Sequence, residues 1–204
     1  MIRPLITIFI FASFLNGQFN HQDKLVFKRP MGNSTYTIEL DGRTNETGFF
    51  HKHLDFGIHY PFKNDWKVGL KYRQMYRISE DDWKLEQRPQ AELIKSIKRS
   101  KIKWQIRSRM DYRIRDGKDD AMRNRTRLQL KSNNTVTRFK LTPFISNEFF
   151  FTTDPWLYYV NRIEAGFDLP KGKFGEWSIY YKYNQTLTDG IWEPAYTFVF
   201  KFVI

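Results

Sequence analysis

Apolar and polar residues alternate with a period of two along most of the chain from Trp66 onward. Between Ile102 and Arg115, the even positions carry Ile, Trp, Ile, Ser, Met, Tyr and Ile, whereas the odd positions carry Lys, Gln, Arg, Arg, Asp, Arg and Arg. Side chains two residues apart share a face of a β-strand, so this segment has one apolar face and one cationic face. A helix would scatter the same residues around its axis. The pattern therefore predicts long strands.

Ten antiparallel strands are predicted from these runs, with short links between them. Gly, Asn, Asp, Ser and Pro dominate the links, as hairpin turns require. Strands joined by short links pair with their neighbours in the chain, which gives an up-and-down meander. Ten is an even number, as single-chain bacterial barrels prefer, and eight to twelve strands remain possible. The expected strands are residues 35–41, 52–60, 66–78, 83–96, 101–115, 122–132, 137–151, 157–169, 175–186 and 192–204.

The length of these strands favours a transmembrane β-barrel over a soluble barrel of the lipocalin kind. Most exceed the ~5–6 residues typical of globular sheets and reach the ~9–11 residues that cross a bilayer at a tilt. Trp and Tyr recur near the ends of the apolar faces, as in interfacial aromatic girdles. We therefore expect an all-β, antiparallel up-and-down, porin-like barrel in a Gram-negative outer membrane. It should be a monomer that contacts outer-membrane lipid and has both termini on the periplasmic side.

The last predicted strand supports this interpretation. One of its faces carries aromatic residues at alternate positions and ends in Ile204; these residues are Tyr196, Phe198, Phe200, Phe202 and Ile204. Such a strand resembles the carboxy-terminal signal that the barrel-assembly machinery recognises, although Ile204 replaces the usual final aromatic residue. The assembly machinery is therefore an expected partner. In a soluble protein, an exposed aromatic strand of this kind would invite aggregation at a sheet edge.

The amino terminus predicts export. Arg3 precedes an apolar run from Leu5 to Leu15, which suits a signal peptide and is too short to span a bilayer as a helix. Cleavage is expected after Gly17, and a buried amino-terminal strand is the alternative. We expect a signal peptide at residues 1–17, a periplasmic amino-terminal segment at 18–34 and the transmembrane barrel at 35–204.

Composition changes this picture little. The chain has 204 residues, a net charge of +12 and no cysteine, which excludes disulfides and thiolate metal sites. A basic charge of this size commonly indicates nucleic-acid binding. Here the cations are spaced at a period of two along strands of an exported chain, so we expect no nucleic-acid partner. An aromatic content of 18% combined with a mean hydropathy of −0.62 fits a barrel with an apolar outside and a polar inside.

The cationic face of the strands defines the expected interior. A narrow anion-preferring channel is one function of such an interior, since rings of Arg and Lys raise the local anion concentration. A plugged structural barrel without transport is the alternative, because barrels with few strands are filled by their side chains. The possible anion path comprises Arg73, Arg88, Arg107, Arg109, Arg113, Arg123, Arg125, Arg127 and Arg162, and the expected acidic partners are Glu86, Glu92, Asp111, Glu148 and Glu164.

An outer-membrane hydrolase of lipid or peptide is a second alternative. His51, His53, Asp55 and His59 share one strand face, a spacing that could hold a metal or supply a base. Ordinary polar interior residues explain the same pattern better. Ser108 lies in the middle of an apolar face, but no His is near it in sequence or on the expected adjacent strands. We therefore expect no enzyme, no catalytic or metal site and no cofactor.

Short motifs along the strands resemble those of an uncharacterised bacterial family known as domain of unknown function 2490. The resemblance runs roughly from residue 45 to residue 204. Its motifs are Lys71-Tyr-Arg-Gln, Gln87-Arg-Pro-Gln, Arg107-Ser-Arg-Met-Asp-Tyr-Arg113, Arg123-Asn-Arg-Thr-Arg-Leu128, Pro143-Phe-Ile-Ser-Asn-Glu148 and Asn161-Arg162. The resemblance implies an outer-membrane location and a barrel fold. It implies no reaction, ligand or catalytic residue.

Overall fold

The computed structural model describes residues 18–79, 81–153 and 155–204, which form a closed barrel of eleven β-strands. The strands are β1 (Gln18–Met31), β2 (Ser34–Asn45), β3 (Gly48–Phe62), β4 (Trp66–Ser79), β5 (Asp82–Lys98), β6 (Ile102–Arg115), β7 (Ala121–Ser132), β8 (Thr142–Thr153), β9 (Trp156–Asp168), β10 (Glu176–Thr188) and β11 (Ile191–Val203). Each of the ten predicted strands overlaps one of β2 to β11. The all-β up-and-down fold and the approximate strand number are therefore confirmed.

The additional strand is β1, which closes the barrel by pairing with β11 in parallel. The pairing runs from Gln18 opposite Ala195 to Val26 opposite Val203. Every other pair of neighbouring strands is antiparallel, from β1–β2 round to β10–β11. An odd number of alternating strands can close only through one parallel pair, so the expectation of an even number is wrong.

Residues 18–34, which were expected outside the barrel, form β1 and the turn into β2. The expected periplasmic segment is therefore part of the barrel wall. The predicted signal peptide at residues 1–17 lies outside the described residues. A second correction concerns β8, which begins at Thr142 rather than at residue 137. Thr137 and Lys140 have φ angles of 66° and 53° in the preceding loop, which an extended strand does not allow.

The strand directions put Gln18 and Val203 at opposite ends of the barrel, which we call the Gln18 mouth and the Val203 mouth. The expectation that both ends of the chain share one side is therefore wrong for the described residues. The described links at the Gln18 mouth are residues 46–47, 81, 116–120, 155 and 189–190; those at the Val203 mouth are 32–33, 63–65, 99–101, 133–141 and 169–175. In one of the two-residue links, Asp189 and Gly190 both have positive φ, as a type I′ hairpin turn requires.

Polar side chains fill the interior, and apolar side chains cover the outer wall. Among the described residues, twenty polar or charged side chains are buried, compared with six apolar ones. On β11, for example, Thr197 and Val199 are buried at the interior, whereas the predicted aromatic residues alternate with them on the outer face. This distribution is the reverse of that in a soluble domain. No helix in the described ranges is long and apolar enough to cross a membrane.

Tryptophans mark both rims of the outer wall. All six lie within the first three residues of a strand: Trp83, Trp156 and Trp192 at the Gln18 mouth, and Trp66, Trp104 and Trp177 at the Val203 mouth. Along β10, ten residues separate Trp177 from Leu187, the cross-strand partner of Trp192 (187 − 177). At ~3.3 Å per residue and a tilt of about 45°, the two rims are roughly 23 Å apart along the barrel axis.

Candidate functional site

Two chambers occupy the barrel interior, one toward each mouth. The chamber at the Val203 mouth has a volume of about 420 Å³, and the chamber at the Gln18 mouth has a volume of about 330 Å³. We call them the Val203 chamber and the Gln18 chamber. Four arginines line both of them and form the boundary between them: Arg43, Arg73, Arg125 and Arg162.

Phe150 lines the Gln18 chamber beside this boundary and is only 3% exposed. The guanidinium carbons of Arg125, Arg162 and Arg123 lie 4.6, 4.7 and 5.3 Å from the centre of its ring. These are cation–π contacts, which are strongest where water is excluded. Phe150 and the boundary arginines therefore form a partition between the two chambers.

One carboxylate ties this partition together. Oε1 of Glu148 accepts a hydrogen bond from Arg107 Nη2 at 2.6 Å. Its Oε2 accepts from Arg125 Nη2 at 2.9 Å and from Arg162 Nη1 at 3.3 Å. Glu148 is 2% exposed, so these bonds form away from bulk water. A single side chain on β8 thus holds arginines from β6, β7 and β9 in place.

The other expected interior residues form similar contacts. All nine predicted arginines line at least one of the two chambers. Of the five predicted acidic partners, Glu164 alone has no ion pair within 4.0 Å among the described residues; its Oε2 accepts from Ser146 at 3.4 Å. Other interior ion pairs include Glu86 with Arg88 and Arg113, Glu92 with Arg109 and His59, Asp55 with Arg73 and Lys71, Asp111 with Arg123 and Arg125, and Lys131 with Asp168.

Cations outnumber acids around both chambers. Seven lysines, seven arginines and five acidic residues line the Val203 chamber. Eight arginines line the Gln18 chamber, and within the described part of the chain no Asp, Glu or Lys does. The predicted anion path did not include four further cations that line the Val203 chamber, namely Lys24, Arg43, Lys182 and Lys201. Of these, Lys24 and Arg43 lie outside the predicted strands. Both chambers are therefore regions of positive potential.

Two β-bulges shape the Gln18 chamber. The register of β2 and β3 shifts at Arg43 and Thr44, and that of β8 and β9 shifts at Phe150 and Phe151. The unpaired extra residues are Phe50 and Tyr159, and both line the Gln18 chamber. A bulge re-aims a side chain locally. Strict alternation cannot predict such a change, so neither aromatic residue was expected in the interior.

His51 and His53 of β3 contact acidic residues of the neighbouring strand β2. His51 Nε2, His53 Nδ1 and Asp41 Oδ1 lie 3.2 to 3.8 Å apart, close enough together to hold a metal ion. Arg43 Nε, however, donates to the same Asp41 oxygen at 3.1 Å, and Lys24 Nζ lies 3.7 Å from the other Asp41 oxygen. A divalent cation would have to displace both charges. The contacts are therefore better described as an ion-pair network.

Ser108, the candidate nucleophile, lies on the outer side of the wall. Its hydroxyl oxygen accepts a hydrogen bond from Asn124 Nδ2 at 3.2 Å. His59 pairs with Glu92 at 2.5 Å in the interior, on the opposite side of the sheet. Within the described residues, no histidine hydrogen-bonds to Ser108. The described side chains therefore do not bring a serine and a histidine together.

Comparison with known proteins gives one family. No curated protein and no solved structure matches the chain significantly. A family described as "Protein of unknown function" (DUF2490) matches residues 13–193, which is most of the chain and includes ten of the eleven strands completely. The barrel and its two arginine-lined chambers therefore belong to a member of the DUF2490 family.

Proposed function

We propose that the protein is an outer-membrane β-barrel whose interior forms a narrow path for small anions. The observation that carries this proposal is the distribution of side chains across the wall. Arginines and lysines surround the interior chambers, whereas Leu, Ile, Phe, Tyr and Trp cover the outside. That distribution suits a barrel with lipid around it and water inside it.

In a membrane, the energy of the opposite arrangement fixes which face of β6 points inward. Turning β6 over would direct Arg107, Arg109 and Arg113 outward. At ~2–4 kcal/mol for each arginine near the bilayer midplane, the change would cost about 6–12 kcal/mol in lipid. The spacing of roughly 23 Å between the tryptophan rims is also close to the ~25 Å apolar band of outer-membrane barrels.

Charge determines which ions the interior would admit. The excess of cations in both chambers attracts anions and repels cations, as positively charged rings do in anion pores. The chambers are small, and Phe150 with its arginines narrows the passage between them. We therefore expect a low conductance with a preference for anions.

A plugged structural barrel is the second candidate, and the partition at Phe150 is the observation that favours it. Three guanidinium groups pack over this ring, and Glu148 fixes the arginines in place. If this arrangement never opens, no ion would cross. The barrel would then serve as a rigid element of the membrane, with its aromatic β11 face as the feature that we propose the assembly machinery recognises.

Single-channel recording in a planar bilayer with a salt gradient tests the proposal. Folding is first established by the heat-modifiable gel shift of the refolded barrel. We expect small discrete steps whose reversal potential favours anions. Arg127→Gln should weaken this preference, because Arg127 lines the Val203 chamber without an ion-pair partner among the described residues. Lys95→Gln removes the same charge near Trp66 at the outer wall and should leave the preference unchanged. A silent bilayer from folded protein would contradict the path.

A further inference from the structure

The Gln18 chamber is unusual in the chemistry of its cations. All eight are arginines, whereas lysines and arginines are equally frequent around the Val203 chamber. Lys and Arg carry the same charge, but only the planar guanidinium offers two parallel N–H groups to one oxoanion. An all-arginine lining therefore points to recognition of an oxoanion rather than to charge alone.

Carboxylates behind the lining hold several of these arginines in position. Arg73 donates from Nε and Nη2 to Asp55 at 2.5 and 2.7 Å, and Arg88 donates from Nε to Glu86 at 2.7 Å. Each guanidinium keeps further N–H groups that these carboxylates do not use. Because these arginine side chains are already fixed, they lose little further conformational entropy when a ligand accepts hydrogen bonds from them.

Arg77 completes the lining at the Gln18 mouth. Its side chain is exposed and makes no ion pair or hydrogen bond with any described residue. Arg113 also lines this part of the chamber, and its Nε donates to Glu86 at 2.5 Å. An incoming anion therefore meets one free guanidinium before it reaches those that are held by carboxylates.

Aromatic residues add a second kind of contact. Phe50 and Tyr159 line the chamber because of the two bulges, and the hydroxyl oxygen of Tyr159 accepts from Arg123 Nη1 at 3.4 Å. The hydroxyl proton of Tyr159 therefore remains available to a ligand oxygen. The volume of about 330 Å³ lies at the lower end of the ~300–1,000 Å³ range for small-molecule sites.

We infer that the Gln18 chamber is a binding site for a small polyanion with two or more phosphoryl groups. This inference names the ligand class of the proposed anion path and rests on that path for entry from the mouth. A soluble compound fits better than a phospholipid headgroup, because the barrel wall separates the chamber from the surrounding acyl chains. Multiple phosphoryl groups are favoured because eight guanidiniums surround one small space.

Pyrophosphate is the probe, and isothermal titration calorimetry on the full refolded barrel in a neutral detergent is the measurement. We expect about one pyrophosphate per barrel at constant ionic strength. Arg77→Gln should weaken binding about tenfold, because one charge-assisted contact is lost and no carboxylate is left unpaired. Lys28→Gln is the matched control, since Lys28 is also exposed and unpaired among the described residues but lines the other chamber.

Absence of pyrophosphate binding, an unchanged affinity in Arg77→Gln, or an equal loss in Lys28→Gln would overturn the inference. Glycerol 3-phosphate represents a lipid headgroup, and equal affinity for it would overturn the assignment to a soluble polyanion. Anion-selective chloride currents without pyrophosphate binding would refute this site alone. Pyrophosphate binding in a barrel that conducts nothing would refute the path and leave the chamber as a closed site.

Discussion

Glu148 is the side chain whose loss should destabilise the interior most clearly. Its two oxygens bind Arg107, Arg125 and Arg162, and it is 2% exposed. Glu148→Gln keeps the shape of the side chain but removes its charge, so three guanidiniums lose a buried counter-ion. Removing one partner of a buried ion pair costs ~3–5 kcal/mol. We expect a loss of about 3 kcal/mol in the free energy of unfolding, because the Gln oxygen can still accept a hydrogen bond.

The measurement is equilibrium unfolding of the refolded barrel in urea, followed by tryptophan fluorescence and by the heat-modifiable gel shift. Glu176→Gln is the matched control, because its carboxylate is 52% exposed and lies 3.8 Å from Lys171. An exposed pair contributes ~0–1 kcal/mol, so this variant should change stability by less than about 1 kcal/mol. If the free energies of unfolding of the two variants differ by less than about 1 kcal/mol, the argument that Glu148 neutralises the buried arginines of the partition is refuted.

Three further predictions test the outer wall, the partition and the histidine network. Leu70→Arg in the outer wall should lower the free energy of unfolding in lipid vesicles by ~2–4 kcal/mol. Ile191→Arg at the Gln18 mouth is the control and should lower it by ~0–1 kcal/mol. The two native side chains are similarly exposed, at 65% and 69%. Equal losses in lipid vesicles would contradict the membrane location. Phe150→Ala should join the two chambers and increase single-channel conductance, and an unchanged conductance would show that Phe150 does not limit the path. Zinc should not stabilise the barrel against urea through His51 and His53, because Lys24 and Arg43 already neutralise Asp41; a zinc-dependent gain that His53→Ala abolishes would contradict this interpretation.

Strict alternation explains why most of the barrel could be predicted from the sequence. In β6, every second residue is cationic or polar, so its register follows from the sequence alone. The signal fails in β1, where His21 and Asp23 interrupt the outer face and Val26 is buried among polar interior residues. Backbone hydrogen bonds to β2 and β11 hold β1 in the barrel. Because these bonds do not depend on which side chains β1 carries, its sequence gives little indication of the strand.

The candidate site could be predicted only in part, for a related reason. Alternation assigns the inward arginines of a strand but does not identify their partners across strands, so the links from Glu148 to β6, β7 and β9 were not foreseen. The bulges at Phe50 and Tyr159 depend on local backbone geometry, which a period of two cannot encode. Phe150 is an apolar residue at an inward position, and its place there is explained by the guanidiniums that surround its ring.

The parallel seam between β1 and β11 restricts how the gene for this barrel could be rearranged. In an even-stranded antiparallel barrel, the first and last strands have their free ends at one mouth, so a short linker allows circular permutation. Here the seam brings Gln18 and Val203 to opposite mouths. A linker would have to run the height of the barrel, through the chambers and past Phe150. Circular permutants should therefore be obtainable only after one strand is removed or added, because only an even number of strands brings both ends to the same mouth.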